Sequence, residues 1–183
     1  MRAVLDACVI FPTVLREILL GVAGQGLYEP VWSERILREW ALALRKFGPG
    51  AEGEALAGRL RMLEAFPRAM APEQPAIEAR LLLPDPNDRH VLAVAIASHA
   101  DCIVTFNAAD FPRHILADEG LDRRDPDGFL WELWSHHPGK VERVVGEVHA
   151  TAERLSGGAL DLRALLKRAK LPKLAKALAA RQG

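Results

Sequence analysis

Short apolar runs alternate along the chain with stretches in which apolar residues recur every three or four positions. The runs at 3–10 and 102–106 are short and apolar on both sides, which predicts two buried strands of a parallel sheet. Residues 28–32 predict a further extended segment, and residues 77–83 favour a strand. Strands that alternate with helices predict an α/β fold with a mostly parallel sheet.

Helix-starting residues lie between these strands. Ser33 is a good N-cap, and Asp85-Pro86 would cap and open a helix whose apolar run 91–97 predicts burial. The region after residue 135 shows only helical periodicity, with a break at Gly157-Gly158. We therefore predict a domain over 1–135 and a helical C-terminal extension with a basic tail over 136–183.

Composition excludes several classes of protein. Half of the 183 residues are hydrophobic, which suffices for a sizeable core, and 24 basic residues balance 24 acidic ones. This neutrality excludes a simple polycation that binds nucleic acid by bulk charge. We find no apolar run long enough to span a membrane, and an aspartate inside the N-terminal apolar run argues against a signal peptide. Two isolated cysteines predict neither a disulfide framework nor a zinc site, so we expect a cytoplasmic protein.

Charge is unevenly distributed along the chain. Residues 159–183 carry seven basic residues and one acid, a net +6, whereas the rest of the chain carries −6. A solvated helix face and a functional basic patch explain this asymmetry about equally well.

Polar residues occur where the predicted strands end, and in open parallel sheets ligands bind at those carboxyl ends. The residues are Asp6, Asp85, Asp88, Asn107 and Asp110, with Glu39 in the helix after Ser33. A carboxylate inside a buried strand needs hydrogen bonds or a cation, so Asp6 favours a functional role. By contrast, the Asp-Pro pattern favours a helix cap over a metal ligand at Asp85. Glu39, taken alone, is better explained as a surface charge.

Several converging carboxylates repel one another, and a divalent cation relieves that repulsion. All-oxygen ligands favour Mg²⁺ or Mn²⁺ over Zn²⁺. Such an ion can polarise a phosphoryl group and activate water, which gives the hypothesis of a metal-dependent phosphodiesterase or nuclease.

With these residues identified, the sequence resembles the PIN-domain family over about residues 2–135. Three stretches carry the resemblance. They are Val-Leu-Asp-Ala-Cys-Val at 4–9, Ser-Glu-Arg-Ile-Leu-Arg-Glu at 33–39, and residues 83–93 followed by 103–107 and Asp-Phe-Pro at 110–112.

The resemblance implies a three-layer α/β/α sandwich, an acidic Mg²⁺ or Mn²⁺ site and single-stranded RNA as the substrate. It also implies a VapC-type toxin held inactive by a small antitoxin protein. Carried over by position, Asp6 and Asp88 would hold the metal and Glu39 would complete the catalytic site. Asp110 would supply the fourth acid, and Asn107 and Thr105 would support the site.

Two residues depart from the family pattern. Cys8 stands where an asparagine is common and is expected on the same strand face as Asp6, where a thiol would give that aspartate weak support. Asn107 stands where many members carry an aspartate. These departures leave open a weak or inactive scaffold that binds RNA or protein. A haloacid-dehalogenase-like phosphatase would need a second aspartate where Cys8 stands.

Partners follow from the same resemblance. Because the chain outside residues 159–183 has a net negative charge, binding of RNA would depend on local basic residues. The residues predicted to contact RNA are Arg89, Arg113, Lys167, Arg168 and Lys170. A homodimer is a further expectation, and segment 136–183 could either cover the antitoxin surface or mediate self-association.

Overall fold

The computed structural model describes residues 1–48 and 50–182, and a five-stranded parallel sheet forms its centre. The strands are β1 (Arg2–Leu5), β2 (Glu29–Ser33), β3 (Met70–Ala71), β4 (Cys102–Val104) and β5 (Asp122–Arg124). They lie in the order β3-β2-β1-β4-β5, and every neighbouring pair is parallel. The predicted α/β fold with a parallel sheet is therefore confirmed.

Helices connect the strands and continue beyond the last one. Those that follow β1 to β4 are α1 (Ala7–Ile10), α2 (Thr13–Gly24), α3 (Glu34–Leu44), α4 (Gly50–Ala65), α5 (Pro75–Arg80), α6 (Arg89–Ala97) and α7 (Arg113–Asp118). Those that follow β5 are α8 (Pro126–His136), α9 (Pro138–Ser156), α10 (Leu162–Arg168) and α11 (Pro172–Gln182).

Two predicted strands were wrong in part or in whole. The apolar run 3–10 leaves the sheet after Leu5, and its second half forms α1. Residues 77–83 do not form a strand, because α5 begins at Pro75, which fits a first helical turn. In both places a short segment with apolar residues fits a helix and a strand equally, so periodicity does not separate them.

The edge strands were missed for a related reason. β3 has only two residues, and β5 reads Asp-Arg-Arg, which carries no apolar signal. Short, charged edge strands protect a sheet from further pairing. The same charges hide such strands from a hydrophobicity analysis.

The chain divides into two compact units. One, the sheet unit, comprises Met1–Phe11 and Tyr28–Arg124, and the other, the helical unit, comprises Pro12–Leu27 and Asp125–Gly183. Within the helical unit, α9 packs on α2 and α8, and α11 packs on α8 and α10. None of the described helices has the length and apolar character needed to cross a membrane.

Strand order locates the place where a ligand is expected. The order runs outward from β1 to β2 and β3 on one side and to β4 and β5 on the other. Parallel α/β sheets bind ligands at the carboxyl ends of the strands beside such a reversal. In the sheet unit this point lies between the ends of β1 and β4.

Candidate metal centre

Asp6 lies directly after β1 at the strand reversal. Its backbone is extended, and its N–H donates to the carbonyl of Val104 at 3.2 Å, which fixes it beside β4. The side chain is only 6% exposed. Its Oδ2 accepts hydrogen bonds from Thr105 Oγ1 at 2.6 Å and Cys8 Sγ at 3.1 Å. Two neutral donors thus stabilise a buried carboxylate.

The residues after β4 link Asp6 to a second aspartate. Thr105 is buried, and its Oγ1 accepts the backbone N–H of Asn107 at 2.9 Å. The Asn107 amide Nδ2 donates to Asp88 Oδ2 at 3.1 Å. Hydrogen bonds therefore run without a break from Asp6 through Thr105 and Asn107 to Asp88.

Three aspartates converge around Asp88. One carboxylate oxygen from each of Asp85, Asp88 and Asp110 lies within 4.8 Å of the other two. Asp85 also caps the turn that carries Asp88, because its Oδ1 accepts the N–H of Asn87 at 2.8 Å. The cap and the cluster are therefore compatible roles for one side chain. We call Asp85, Asp88 and Asp110 the aspartate cluster.

The electrostatics of the cluster favour a cation. Burial, followed in order by the charges of Asp6, Asp110 and Asp85, raises the pKa of Asp88 to about 6 against a smaller opposing effect of His90. A carboxylate surrounded by like charges loses this penalty when a divalent ion binds. The donors are all oxygen atoms, so their chemistry fits a hard cation.

Glu39 has different neighbours from the aspartates. Its Oε1 lies 3.5 Å from Arg35 Nε and 3.0 Å from His90 Nε2, the latter without the alignment of a hydrogen bond. Arg35 also donates to Glu78 Oε1 at 3.0 Å. Among the described residues, neither Glu39 nor Asp6 has a carboxylate oxygen within the 4.8 Å group that defines the aspartate cluster.

Cys8 lies in α1 and not on a strand, so its predicted placement on the strand face of Asp6 was wrong. The thiol nevertheless reaches Asp6 and accepts the backbone N–H of Phe106 at 3.3 Å. Burial, followed by the charge of Asp6, raises the pKa of Cys8 to about 12. Cys8 is therefore a neutral donor to Asp6 and takes over part of the support expected of an asparagine.

The residues predicted to contact RNA fall in both units. In the sheet unit, Arg89 has a buried Nε without a hydrogen-bond partner among the described residues. Arg113 is exposed and pairs with Asp122 at 2.7 Å. In the helical unit, Lys167, Arg168 and Lys170 are exposed at the end of α10. Their contacts with RNA stay a prediction.

The sequence favoured only one of two roles for Asp85 and gave no sign of a role for Arg123. Asp85 belongs to the cluster as well as capping a turn, and its position three residues before Asp88 was the available signal. Arg123 on β5 donates through Nη1 to the carbonyls of Ala108 and Phe111, the latter at 3.1 Å. It thereby holds the loop that carries Asp110, and nothing in the sequence pattern signals this contact.

The chain was compared with protein families, curated proteins and solved structures. A family model described as PIN domain matches residues 2–109, which is more than half of the chain and includes all the aspartates of the cluster except Asp110. Neither the comparison with curated proteins nor that with solved structures returned a match.

Proposed function

The chain belongs to the PIN-domain family, and from that premise we propose that it is a metal-dependent endoribonuclease that cleaves single-stranded RNA. The family's fold is that of metal-dependent nucleases, and an acidic cluster is present in this chain. Convergence of the aspartate cluster is the observation that carries the proposal. Carboxylates placed this close together raise one another's pKa unless a cation neutralises them.

Asp6 and Asp88 are the proposed metal ligands, with Asp85 and Asp110 beside Asp88. When bound, Mg²⁺ or Mn²⁺ would polarise the phosphate and lower the pKa of a water molecule that attacks in line. Thr105 and Asn107 hold the two ligands through direct hydrogen bonds, which fixes the orientation of each carboxylate. Glu39, which lies outside the aspartate cluster, is proposed to complete the catalytic site.

The protein's own groups support binding and proton transfer. A carboxylate of the aspartate cluster that does not hold the ion is proposed to accept the proton of the attacking water. The guanidinium of Arg89, one residue further on, lacks a hydrogen-bond partner for its Nε among the described residues. It is a proposed contact for the substrate's phosphate.

The test is RNA cleavage by the purified full chain with Mn²⁺. We expect cleavage of a labelled single-stranded RNA that stops when the metal is chelated. Asp6→Asn should abolish it, because the buried ligand loses its charge. An exposed loop residue outside the aspartate cluster, Glu73, provides the matched control Glu73→Gln, which should cleave normally. Equal cleavage by Asp6→Asn would point to a contaminating nuclease and overturn the proposal.

A toxin of the VapBC type is the proposed biological setting. Its small antitoxin would bury apolar surface with a helix and place a basic residue near the carboxylates. Expression of the chain should then arrest growth, and Asp88→Asn should relieve the arrest. Arrest that persists in Asp88→Asn would contradict this role while leaving the nuclease assay to be judged separately.

A scaffold that binds RNA or protein without cleaving is the second candidate. The neutral Asn107 beside Asp88 favours it, because a carboxylate at that position would add a charged ligand. RNA binding that persists with chelator present, without turnover at any Mn²⁺ concentration, would support this candidate over the nuclease.

A further inference from the structure

The chain ends in two helices joined by a three-residue turn. After α10, the N–H of Lys170 donates to the carbonyl of Lys167 at 3.0 Å and that of Leu171 to the carbonyl of Leu166 at 2.9 Å, which closes the helix. Pro172 then opens α11. A turn of three or four residues joins the helices of the helix-turn-helix motif. We call α10, this turn and α11 the C-terminal helix pair.

One face of the C-terminal helix pair is fixed by burial. Its buried apolar residues are Leu165, Leu166, Ala169, Leu171, Leu174, Ala175 and Leu178. Asp127 on α8, only 9% exposed, accepts the backbone N–H groups of Lys173 at 2.7 Å and Leu174 at 2.9 Å. Because this carboxylate caps the first turn of α11, the helix is held rigidly and its outer face is preorganised.

The outer face of α11 carries lysines and alanines, and Arg181 near its end pairs with Glu142. Lys173, Lys176, Ala177 and Ala180 follow one helical stripe, and of these only Ala177 is partly covered. The Lys173 ammonium lies 3.5 Å from the centre of the Trp131 ring. The surrounding segment 159–183 has a net charge of +6, and its one acid, Asp161, caps α10 by accepting the N–H of Ala164.

We propose that the C-terminal helix pair binds double-stranded DNA, with α11 in the major groove. The major groove of B-form DNA admits an α-helix, whereas that of A-form RNA is too deep and narrow. Alanines at two of the four stripe positions let the helix backbone approach the base edges. Lysines at the other two positions neutralise phosphates or contact guanine. This binding uses no metal and none of the aspartate cluster, although the C-terminal helix pair also carries Lys167, Arg168 and Lys170, which are predicted to contact RNA.

Binding of the full chain to a labelled duplex tests the proposal. The duplex has about 25 base pairs, enough for two helical turns. EDTA keeps any metal-dependent activity silent, so failure here is separate from failure of the nuclease. Single-stranded RNA of equal length is the competitor. We expect duplex to be preferred, and Lys176→Glu to weaken binding by about tenfold at low salt and to reduce the salt slope by about one. Arg143→Glu on α9, an exposed residue with the same change in charge, should alter affinity less than twofold.

A charge-neutral pair separates groove binding from bulk attraction. Ala180→Gln adds bulk to the outer stripe of α11, and Ala150→Gln adds it to an exposed position of α9. We expect only Ala180→Gln to weaken duplex binding, by about fivefold, because it keeps the helix out of the groove. Equal effects of Lys176→Glu and Arg143→Glu, no effect of Ala180→Gln, or tighter binding of single-stranded RNA than of duplex would each overturn the proposal.

Discussion

Two aspartates, one in each unit, have different surroundings, and these surroundings give one a structural role and suit the other to binding a cation. Each carboxylate oxygen of Asp127 in the helical unit accepts a hydrogen bond from a backbone N–H group at the start of a helix. Asp88 in the sheet unit receives one amide from Asn107 and lies among carboxylates that raise its pKa. A carboxylate whose oxygens accept hydrogen bonds stabilises the fold. A carboxylate close to other carboxylates is destabilised by their repulsion, which a bound cation relieves.

The largest expected effect is on RNA cleavage. Asp88→Asn should lower the rate by about 10²–10³-fold, because the site loses the charge that holds the cation. Asp127→Asn should keep its cleavage rate at temperatures where it is folded. Gel analysis of a labelled RNA with Mn²⁺ measures both. Equal loss in the two variants would remove the distinction between the aspartates.

The next effect is on stability and concerns Asp127. Asp127→Asn should lower the free energy of unfolding by about 2 kcal/mol, because the amide loses the charge that favours the start of α11 and one donor group lacks a partner. Urea unfolding followed by circular dichroism measures the change. Glu73→Gln, a neutralised exposed carboxylate, should change stability by less than about 0.5 kcal/mol. An Asp127→Asn variant as stable as wild type would contradict the structural role.

Removing the link between the two ligands should have an intermediate effect. Thr105→Val deletes the hydroxyl that donates to Asp6 and accepts from Asn107, so cleavage should fall by about 10–100-fold. Thr105→Ser keeps the hydroxyl and should restore most of the rate. A serine variant as impaired as the valine variant would show that packing of the threonine methyl, and not the hydrogen bonds, is responsible.

Stability of the metal-free protein should depend on Asp88 and pH. The folded pKa of about 6 lies above the ordinary value of 3.8, so the folded state binds this proton more tightly. Its contribution is fully present below about pH 4 and is lost as pH rises through about 6. At about pH 8, Asp88→Asn should therefore be more stable than wild type by about 1–2 kcal/mol.

Thermal unfolding with EDTA across this pH range measures the difference. The advantage of Asp88→Asn should shrink towards about pH 4, where the wild-type carboxyl is protonated as well. A difference that is constant with pH, or that has the opposite sign, would show that Asp88 carries no such penalty.

The smallest effect distinguishes two helix ends in the helical unit. Lys170 and Gly157 both adopt left-handed backbone angles, with φ of 61° and 73°. Lys170→Gly should raise the free energy of unfolding by about 0.5 kcal/mol, because relief of strain exceeds the added freedom of the unfolded chain. Gly157→Ala should lower it by about 1 kcal/mol. Chemical unfolding of both variants tests this, and a shared direction would contradict it.

Much of the sheet unit could be predicted because its central strands and helix starts carry local sequence signals. The apolar run 102–106 gave a buried strand, and Ser33 caps α3 by accepting the N–H of Ile36 at 3.3 Å. Helix caps depend on neighbours within four residues, so the sequence alone specifies them. The expectation that polar residues meet at the strand ends rests on the general topology of parallel sheets.

Other features depended on contacts between distant residues. Cys8 reaches Asp6 because the chain turns into α1 directly after Asp6, and the largely apolar run 3–10 does not signal this turn. Arg123 holds the Asp110 loop from an edge strand that has no hydrophobic pattern. Glu39 lies against Arg35 and His90, and the pattern alone did not secure its orientation. Side-chain partners of this kind are set by packing across the whole unit.

Direct measurement of Mn²⁺ binding tests whether Asp6 and the aspartate cluster hold a divalent cation. Loss of the paramagnetic resonance signal of free Mn²⁺ reports the bound fraction at about pH 8, where Asp88 is ionised. We expect saturable binding to wild type and to Glu73→Gln, and at least about tenfold weaker binding to Asp88→Asn. Equal binding by wild type and Asp88→Asn would contradict it.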